Sequence, residues 1–273
     1  MIPAPFDYVR AGSAAEALAA LAEHGDEAKL LAGGHSLLPM MKLRLASPGV
    51  LVDVGHLDEL RYVRREGETL AVGALARHAD LVGSDLVHQT VPLLAQVASH
   101  VGDPQIRHRG TIGGSLAHAD PAADLPAAAV ALDAEMVVTG PSGTRTVAAA
   151  DFFTGYFSTT LGEDEMLTEI RFPVTGAEQR WYEKFVRRAN DWAIVAVAVA
   201  GTRIALAGMG PTPIRATAAE HALSVGGDPA AAAELAAEGT DPVADLHADK
   251  DYRRHLARVL TRRALVSAEA ARR

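Results

Sequence analysis

Leu31-Ala32-Gly33-Gly34-His35-Ser36-Leu37-Leu38-Pro39 is the stretch on which the reading of this chain turns. A second stretch of the same kind, Arg109-Gly110-Thr111-Ile112-Gly113-Gly114-Ser115-Leu116-Ala117-His118-Ala119-Asp120, lies one subdomain further along. Each glycine pair follows an apolar or strand-like segment and precedes a small hydroxyl residue. Glycine reaches positive φ without steric cost, so such turns present bare backbone N–H groups to an anion. Two of them predict a diphosphate held between two loops.

Working outward from the first pair, Ser13 to His24 carries the start and stop signals of a short amphipathic helix: a capping serine, Glu16 three residues on, and Gly25 at the end. Lys29–Ala32 and Val50–Val54 have the apolar character of buried strands, which gives a small β-α-β-like unit with the glycine turn at a strand end. From Leu57 the pattern changes. Leu60–Val63 and Thr69–Gly73 predict a hairpin that opens a second subdomain, and helical stretches follow near Ala79–Val82 and Val91–Val101. An irregular segment, Gly102–Arg109, then delivers the chain to the second glycine pair. Ala123–Leu132 is expected to be helical, with Asp124 as cap before Pro126.

Glu135–Thr139 and Thr144–Ala148 flank Gly140-Pro141-Ser142-Gly143 as a further hairpin, and Met166–Phe172 is a strand stopped by Pro173. A boundary is placed at residues 173–176. Beyond it, Trp181–Arg187, Ala193–Ala200 and Arg203–Ala207 predict three antiparallel strands, followed by alanine-rich helix. The last helix, Asp251–Ala271, sets Leu256, Val259, Leu260 and Leu265 on one face; its arginines are read as a solvated face, the alternative being a docking surface for a partner.

The 273 residues, 49% of them hydrophobic, suffice for one large or two medium domains. A net charge of -8 argues against a nucleic-acid partner. The absence of cysteine excludes disulfides, a thiolate nucleophile, a cysteinyl flavin link and a thiolate-ligated iron–sulfur cluster on this chain. No basic, apolar leader opens the sequence, and the longest apolar run, Ala193–Ala200, is too short to span a bilayer, so a cytoplasmic location is expected. His35, His100, His108 and His118 fit no compact metal motif and are read as polar loop residues, with no metal site. Asp120 and Asp124 could be imagined as an acid–base pair, but they flank a proline and are read as a turn and a cap. No catalytic acid or base is assigned.

Three stretches together resemble a known family: Ala32 to Lys42; Thr111-Ile112-Gly113-Gly114-Ser115-Leu116-Ala117-His118-Ala119-Asp120-Pro121-Ala122-Ala123-Asp124-Leu125-Pro126; and Tyr182-Glu183-Lys184-Phe185-Val186-Arg187-Arg188. They are similar to the FAD-binding medium subunit of the molybdenum hydroxylases, and Tyr252-Arg253-Arg254-His255-Leu256-Ala257 resembles the C-terminal domain of that family. The resemblance implies an α+β chain with a vanillyl-alcohol-oxidase (PCMH)-type fold: two FAD-binding subdomains at residues 1–55 and 56–174, then a C-terminal domain at 175–273 with a three-stranded antiparallel sheet and helices. It does not imply a Rossmann sheet, and the missing Gly-x-Gly-x-x-Gly agrees.

The same resemblance implies FAD contacts from Ala32, Gly33, Gly34, His35, Ser36 and Leu37, from Thr111, Gly114, Ser115 and His118, and from Asp124, Leu167 and Lys184, with Trp192 beside the isoalloxazine ring. Under a one-residue shift Glu183 takes the place of Lys184. The implied role is to pass electrons from [2Fe-2S] clusters on a small partner subunit, through FAD, to an external acceptor, while a large partner carrying the molybdenum cofactor oxidises the substrate. A dimer of heterotrimers is the implied assembly. A stand-alone flavin oxidoreductase of the same fold, or an assembly protein that has lost its cofactor, are the competing readings. Substrate and acceptor are not encoded in any motif of this chain.

Overall fold

The computed structural model describes residues 2–175 and 180–271. β1 (Asp7–Arg10) opens the chain and α1 (Ala14–His24) follows, started by the Ser13 hydroxyl, which accepts from the Glu16 N–H at 3.2 Å. The Glu16 carboxylate accepts from the Gly12 N–H at 2.7 Å, so the reciprocal bond of the cap falls one residue outside the helix start. β2 (Ala28–Leu31), α2 (Leu37–Lys42) and β3 (Val50–Asp53) complete a parallel three-stranded sheet of order β1-β3-β2. β1 was not expected, and it lies on the sheet edge.

β4 (Val63–Glu66) and β5 (Thr69–Gly73) form the expected hairpin. A run of helices follows: α3 (His78–Gly83), α4 (Asp85–Thr90), α5 (Pro92–Ser99), α6 (Pro104–Arg107), α7 (Ile112–His118) and α8 (Asp124–Ala131). The segment read as irregular thus contains a turn of helix, α6, capped by the Asp103 carboxylate on the Ile106 N–H at 2.9 Å. β6 (Glu135–Gly140) and β7 (Gly143–Ala148) pair as expected; α9 (Ala149–Phe152), the short strands β8 (Phe153–Gly155) and β9 (Ser158–Thr159), and β10 (Met166–Pro173) close the region. The result is a five-stranded antiparallel sheet, β4-β5-β10-β6-β7.

β11 (Arg180–Phe185), β12 (Val195–Ala200) and β13 (Arg203–Ala207) are antiparallel as predicted, and β14 (Ile214–Arg215) adds a short fourth strand. α10 (Thr217–Ser224), α11 (Pro229–Glu234) and α12 (Lys250–Ala270) follow. The boundary expected at 173–176 runs into residues 176–179, outside the described residues, as are 272–273 at the end of the C-terminal region. No helix among the described residues is long and apolar enough to cross a membrane.

The alternation of β12 explains how the C-terminal sheet joins the rest. Ala196, Ala198 and Ala200 belong to the core shared with α8 and the five-stranded sheet, while Val195, Val197 and Val199 belong to the core under α12. A period of two puts the two sets on opposite faces, and the small alanines let a helix approach closely. That helix is α8, buried on every side. Asp124 is its first residue and not its cap: Ala123 holds the cap position without a side-chain bond, and the carboxylate is used elsewhere.

Candidate functional site

β2 ends at the carboxyl edge of the parallel sheet, where the Leu31 carbonyl accepts from the Val54 N–H at 3.0 Å and the chain turns into the first glycine pair. The left-handed residue there is Gly34, at φ 75°; Gly33 does not have positive φ, contrary to the expectation that both serve the turn in that way. α2 begins with bonds from the Leu38 N–H to the Gly34 carbonyl and from the Met40 N–H to the Ser36 carbonyl. Among the described residues, the N–H groups of Gly33, Gly34, His35, Ser36 and Leu37 have no acceptor, and neither does the Ser36 hydroxyl a partner. They are part-exposed and open to solvent. Ala32, half-buried, backs its carbonyl against Gly55, where a Cβ would lie 2.9 Å from that oxygen.

The second glycine pair is built differently, and the expectation of bare N–H groups there is wrong. Its residues are the first turn of α7. The Ile112 N–H donates to the Ala76 carbonyl at 2.9 Å and the Gly113 N–H to the Ala74 carbonyl at 2.8 Å. The Gly114 N–H donates to the Thr111 hydroxyl oxygen at 3.2 Å and the Ser115 N–H to the Thr111 carbonyl at 3.0 Å. Gly113 is buried, and a Cβ there would lie 2.5 Å from Ala74 Cβ and 2.7 Å from its carbonyl oxygen, so only glycine fits. What this loop keeps free is Gly114, exposed, and the Ser115 hydroxyl, which has no partner among the described residues.

The two loops touch. A Cβ on Gly33 would lie 2.3 Å from the Arg109 carbonyl oxygen and 2.9 Å from Gly110 Cα. On the other flank of Gly110, a Cβ would meet His78 Nε2 at 2.7 Å, and the His78 N–H donates to the Gly110 carbonyl at 3.0 Å. His78 is buried and its Nδ1 has no partner among the described residues. Burial holds its pKa down to about 4, with His35 and Arg107 adding positive charge nearby. No motif singled out His78; its role follows only from the contact with the second loop.

Further along, Asp124 is enclosed by β11. The Tyr182 hydroxyl donates to Asp124 Oδ1 at 2.5 Å, and Lys184 Nζ donates to Asp124 Oδ2 at 3.0 Å and to the His100 carbonyl at 3.2 Å. Burial pushes the Asp124 carboxyl up, against the pull of Lys184 and Tyr182, and burial and Asp124 push the Tyr182 hydroxyl up. Alternation along β11 puts Glu183 on the other face, where it accepts from Trp181 Nε1 at 2.8 Å. Leu167, on β10, lies in the main core at a register shift opposite β6. The His118 ring packs on Phe157 at 5.2 Å, and burial lowers its pKa. Trp192, half-exposed, borders a cleft of about 430 Å³ together with Ala122, Arg187, Arg188, His247 and Arg253. Arg253, assigned by sequence to a solvated face, is buried.

The geometry therefore joins Gly33 to the second loop and Lys184 to Asp124, and places Trp192 across from the segment between α7 and α8. Residues 4–175 match the family described as the FAD binding domain in molybdopterin dehydrogenase, and residues 180–268 match the CO dehydrogenase flavoprotein C-terminal domain. The carbon monoxide dehydrogenase medium chain of Hydrogenophaga pseudoflava is 42% identical over 99% of each chain. The 6-hydroxypseudooxynicotine dehydrogenase complex subunit alpha of Paenarthrobacter nicotinovorans is 38% identical over 98% of this chain and 96% of that one. A solved structure of carbon monoxide dehydrogenase from Hydrogenophaga pseudoflava, lacking the Mo-pyranopterin moiety of its molybdenum cofactor, superposes with a TM-score of 0.94 at 44% identity, covering 99% of each chain.

Proposed function

This chain belongs to the FAD-binding medium subunits of the molybdenum hydroxylase family, and we propose from that premise how its own residues hold the cofactor and pass electrons on. It is a flavoprotein oxidoreductase subunit with the PCMH-type fold. Membership at this identity along the whole chain favours the subunit reading over a stand-alone flavin enzyme. Its partners are a large subunit with the molybdenum cofactor and a small iron–sulfur subunit, and we assign the assembly as a dimer of heterotrimers in the cytoplasm. We divide the chain at 1–55, 56–174 and 175–273.

The observation that carries the cofactor assignment is the run of N–H groups from Gly33 to Leu37 that have no acceptor among the described residues, with the unpartnered Ser36 hydroxyl among them. Successive N–H donors in a turn with a left-handed residue suit a diphosphate, and hydrogen bonds to an ionised oxygen are roughly twice as strong as neutral ones. The residues present thus fit FAD. We assign to it Ala32, Gly33, Gly34, His35, Ser36 and Leu37 from the first loop. From the second we assign Thr111, Gly114, Ser115 and His118, by side chains and exposed backbone surface instead of N–H donors. Asp124, Leu167, Lys184 and Trp192 complete the set.

When bound, FAD supplies the redox change that links the clusters of the small subunit to an external acceptor. The protein's part is orientation and electrostatics. Asp124 fixes Lys184 by an ion pair that leaves both side chains nearly water-free, 2% and 6% exposed, so the ammonium sits in one place and its field is little screened. Tyr182 keeps its proton on the hydroxyl and donates a hydrogen bond to Asp124 Oδ1, the oxygen that Lys184 Nζ also approaches at 2.9 Å. No residue here is assigned to substrate chemistry. That agrees with two relatives of similar identity whose names specify carbon monoxide and 6-hydroxypseudooxynicotine as different substrates.

Purification from the native host tests the reading. Flavin absorption in this chain, with molybdenum and iron on a larger and a smaller partner, is the expected result. A lone yellow protein that oxidises a substrate of its own would overturn it.

A further inference from the structure

Arg253 stands near the start of α12, yet it is only 7% exposed. Its Nη1 donates to the Ile194 carbonyl and, at 3.5 Å, to the Gly208 carbonyl, and its Nη2 pairs with Asp245 at 2.7 Å. Among the described residues its buried Nε has no partner. The acceptors come from the adjoining ends of β12 and β13 and from the segment before α12. Ile194 closes the loop of residues 186–193: its N–H donates to the Phe185 carbonyl at 2.9 Å, and its carbonyl goes to Arg253. Gly208, at φ 75°, donates its N–H to the Pro121 carbonyl at 2.8 Å, in the segment between α7 and α8. A Cβ on Gly208 would lie 2.5 Å from the Ile194 carbonyl oxygen and 3.5 Å from Arg253 Nη1. Within the loop, the side chains of Arg187, Arg188 and Trp192 have no hydrogen bond or ion pair among the described residues. One guanidinium therefore ties together the Trp192 loop, the stretch leading into α8, and the C-terminal helix.

We infer that Arg253 is a positioning residue for electron exit: by holding the Ile194 and Gly208 carbonyls it fixes the Trp192 loop and the 120–124 segment against the flavin ring. The inference rests on the reading of this chain as an FAD subunit with Trp192 beside the ring. Lysine cannot substitute. A single ammonium on a flexible stem cannot reach two carbonyls and a carboxylate in the planar fork geometry, so Ile194 is released even though the charge is kept. Misplacement by about 1 Å of a group that orients a reaction can cost on the order of a hundredfold, and the indirect effect expected here is smaller.

The test uses the full complex from the native host, carrying Arg253→Lys, Arg253→Met, Gly208→Ala or, on the exposed face of α12, Arg262→Met. The readouts are FAD content, visible circular dichroism of the flavin, and reoxidation of the dithionite-reduced complex by dichlorophenolindophenol. We expect Arg253→Lys to keep its FAD, with altered flavin dichroism and reoxidation slowed on the order of tenfold. Gly208→Ala should reproduce both changes, because it displaces the same carbonyl from the other side, and Arg262→Met should show neither. Should Arg253→Met fail to fold, the lysine and Gly208 variants carry the comparison. Native dichroism and native reoxidation in FAD-loaded Arg253→Lys would overturn the inference, whatever happens to its melting temperature. A wild-type complex without FAD would instead overturn the functional reading, and this inference with it.

Discussion

The glycine pairs at 33–34 and 113–114 are near twins in sequence and opposites in structure. At the first, one glycine turns the chain through the left-handed region and five successive residues have N–H groups with no acceptor among the described residues. At the second, both glycines are helical, and the N–H groups around them are taken by Ala74, Ala76 and Thr111. A Gly-Gly pair lets the backbone come close to something, and what it approaches is decided elsewhere in the chain. The Cα face of Gly33 meets the other loop and that of Gly113 the strand exit at Ala74, while the N–H groups from Gly33 to Leu37 have no acceptor among the described residues.

The sharpest way to break this contrast is to fill both pairs. Gly113→Val should be the most damaging change, since its side chain enters a buried contact of 2.5 Å with Ala74. Overpacking of this kind costs about 3 kcal/mol or more. Urea unfolding should show the loss in the chain stripped of FAD, because the defect lies in the fold. Gly33→Ala should behave differently. Its Cβ meets the backbone of Arg109 and Gly110, which cannot rotate away, so the two loops are forced apart. Far-ultraviolet dichroism should stay native while flavin affinity falls about a hundredfold, roughly 2.7 kcal/mol. If Gly33→Ala retains FAD through exhaustive dialysis, the junction of the loops does not matter to the cofactor.

His78 sharpens the same comparison from the side of the second loop. Buried behind Gly110 with its pKa held down to about 4, against 6.5 for a free histidine, it is neutral when folded and protonated when unfolded between those values. The unfolded chain then binds more protons, so stability is fully present above pH 6.5 and is lost as pH falls toward 4. At pH 4.5 this group alone should account for about 2–3 kcal/mol of that loss. His78→Gln, which cannot titrate, should flatten the urea-midpoint profile in this window. An unchanged slope would mean that the ring is hydrated and the loop is less tightly packed than its geometry indicates.

Much of the fold was legible because its signals are local. Ser13 with Glu16, the turn at Gly140 to Gly143, and the Val/Ala alternation of β12 each specify their element within a few residues. What escaped depends on distant acceptors. β1 has an exposed, four-residue pattern and exists because β3 offers it a ladder some forty residues later. The spent donors of Ile112 and Gly113 need carbonyls at 74 and 76 that no motif foretells. The Asp124 carboxylate resembled a cap in sequence because the partners that claim it, Tyr182 and Lys184, come from the following sheet. Arg253 did carry a signal. It shares the helical face of Leu256, Ala257, Leu260 and Ala264, so the periodicity that identified the helix also placed this arginine inward.

The smallest expected effect falls within the open loop itself. Ser36→Ala removes one hydroxyl and leaves every backbone donor from Gly33 to Leu37 in place, because the Ser36 side chain caps nothing and has no partner among the described residues. The unliganded protein should therefore lose no measurable stability. FAD affinity should drop by about 1 kcal/mol, roughly fivefold, the usual worth of one hydrogen bond exchanged with water. The equivalent change at Ser115 is the informative partner, since that hydroxyl is also unbonded but sits on a loop whose N–H groups are spent. If the second loop meets the cofactor through side chains, Ser115→Ala should cost at least as much as Ser36→Ala in a flavin-binding titration. A loss at Ser36 with none at Ser115 would confine the anion site to the first loop and leave the second as scaffold.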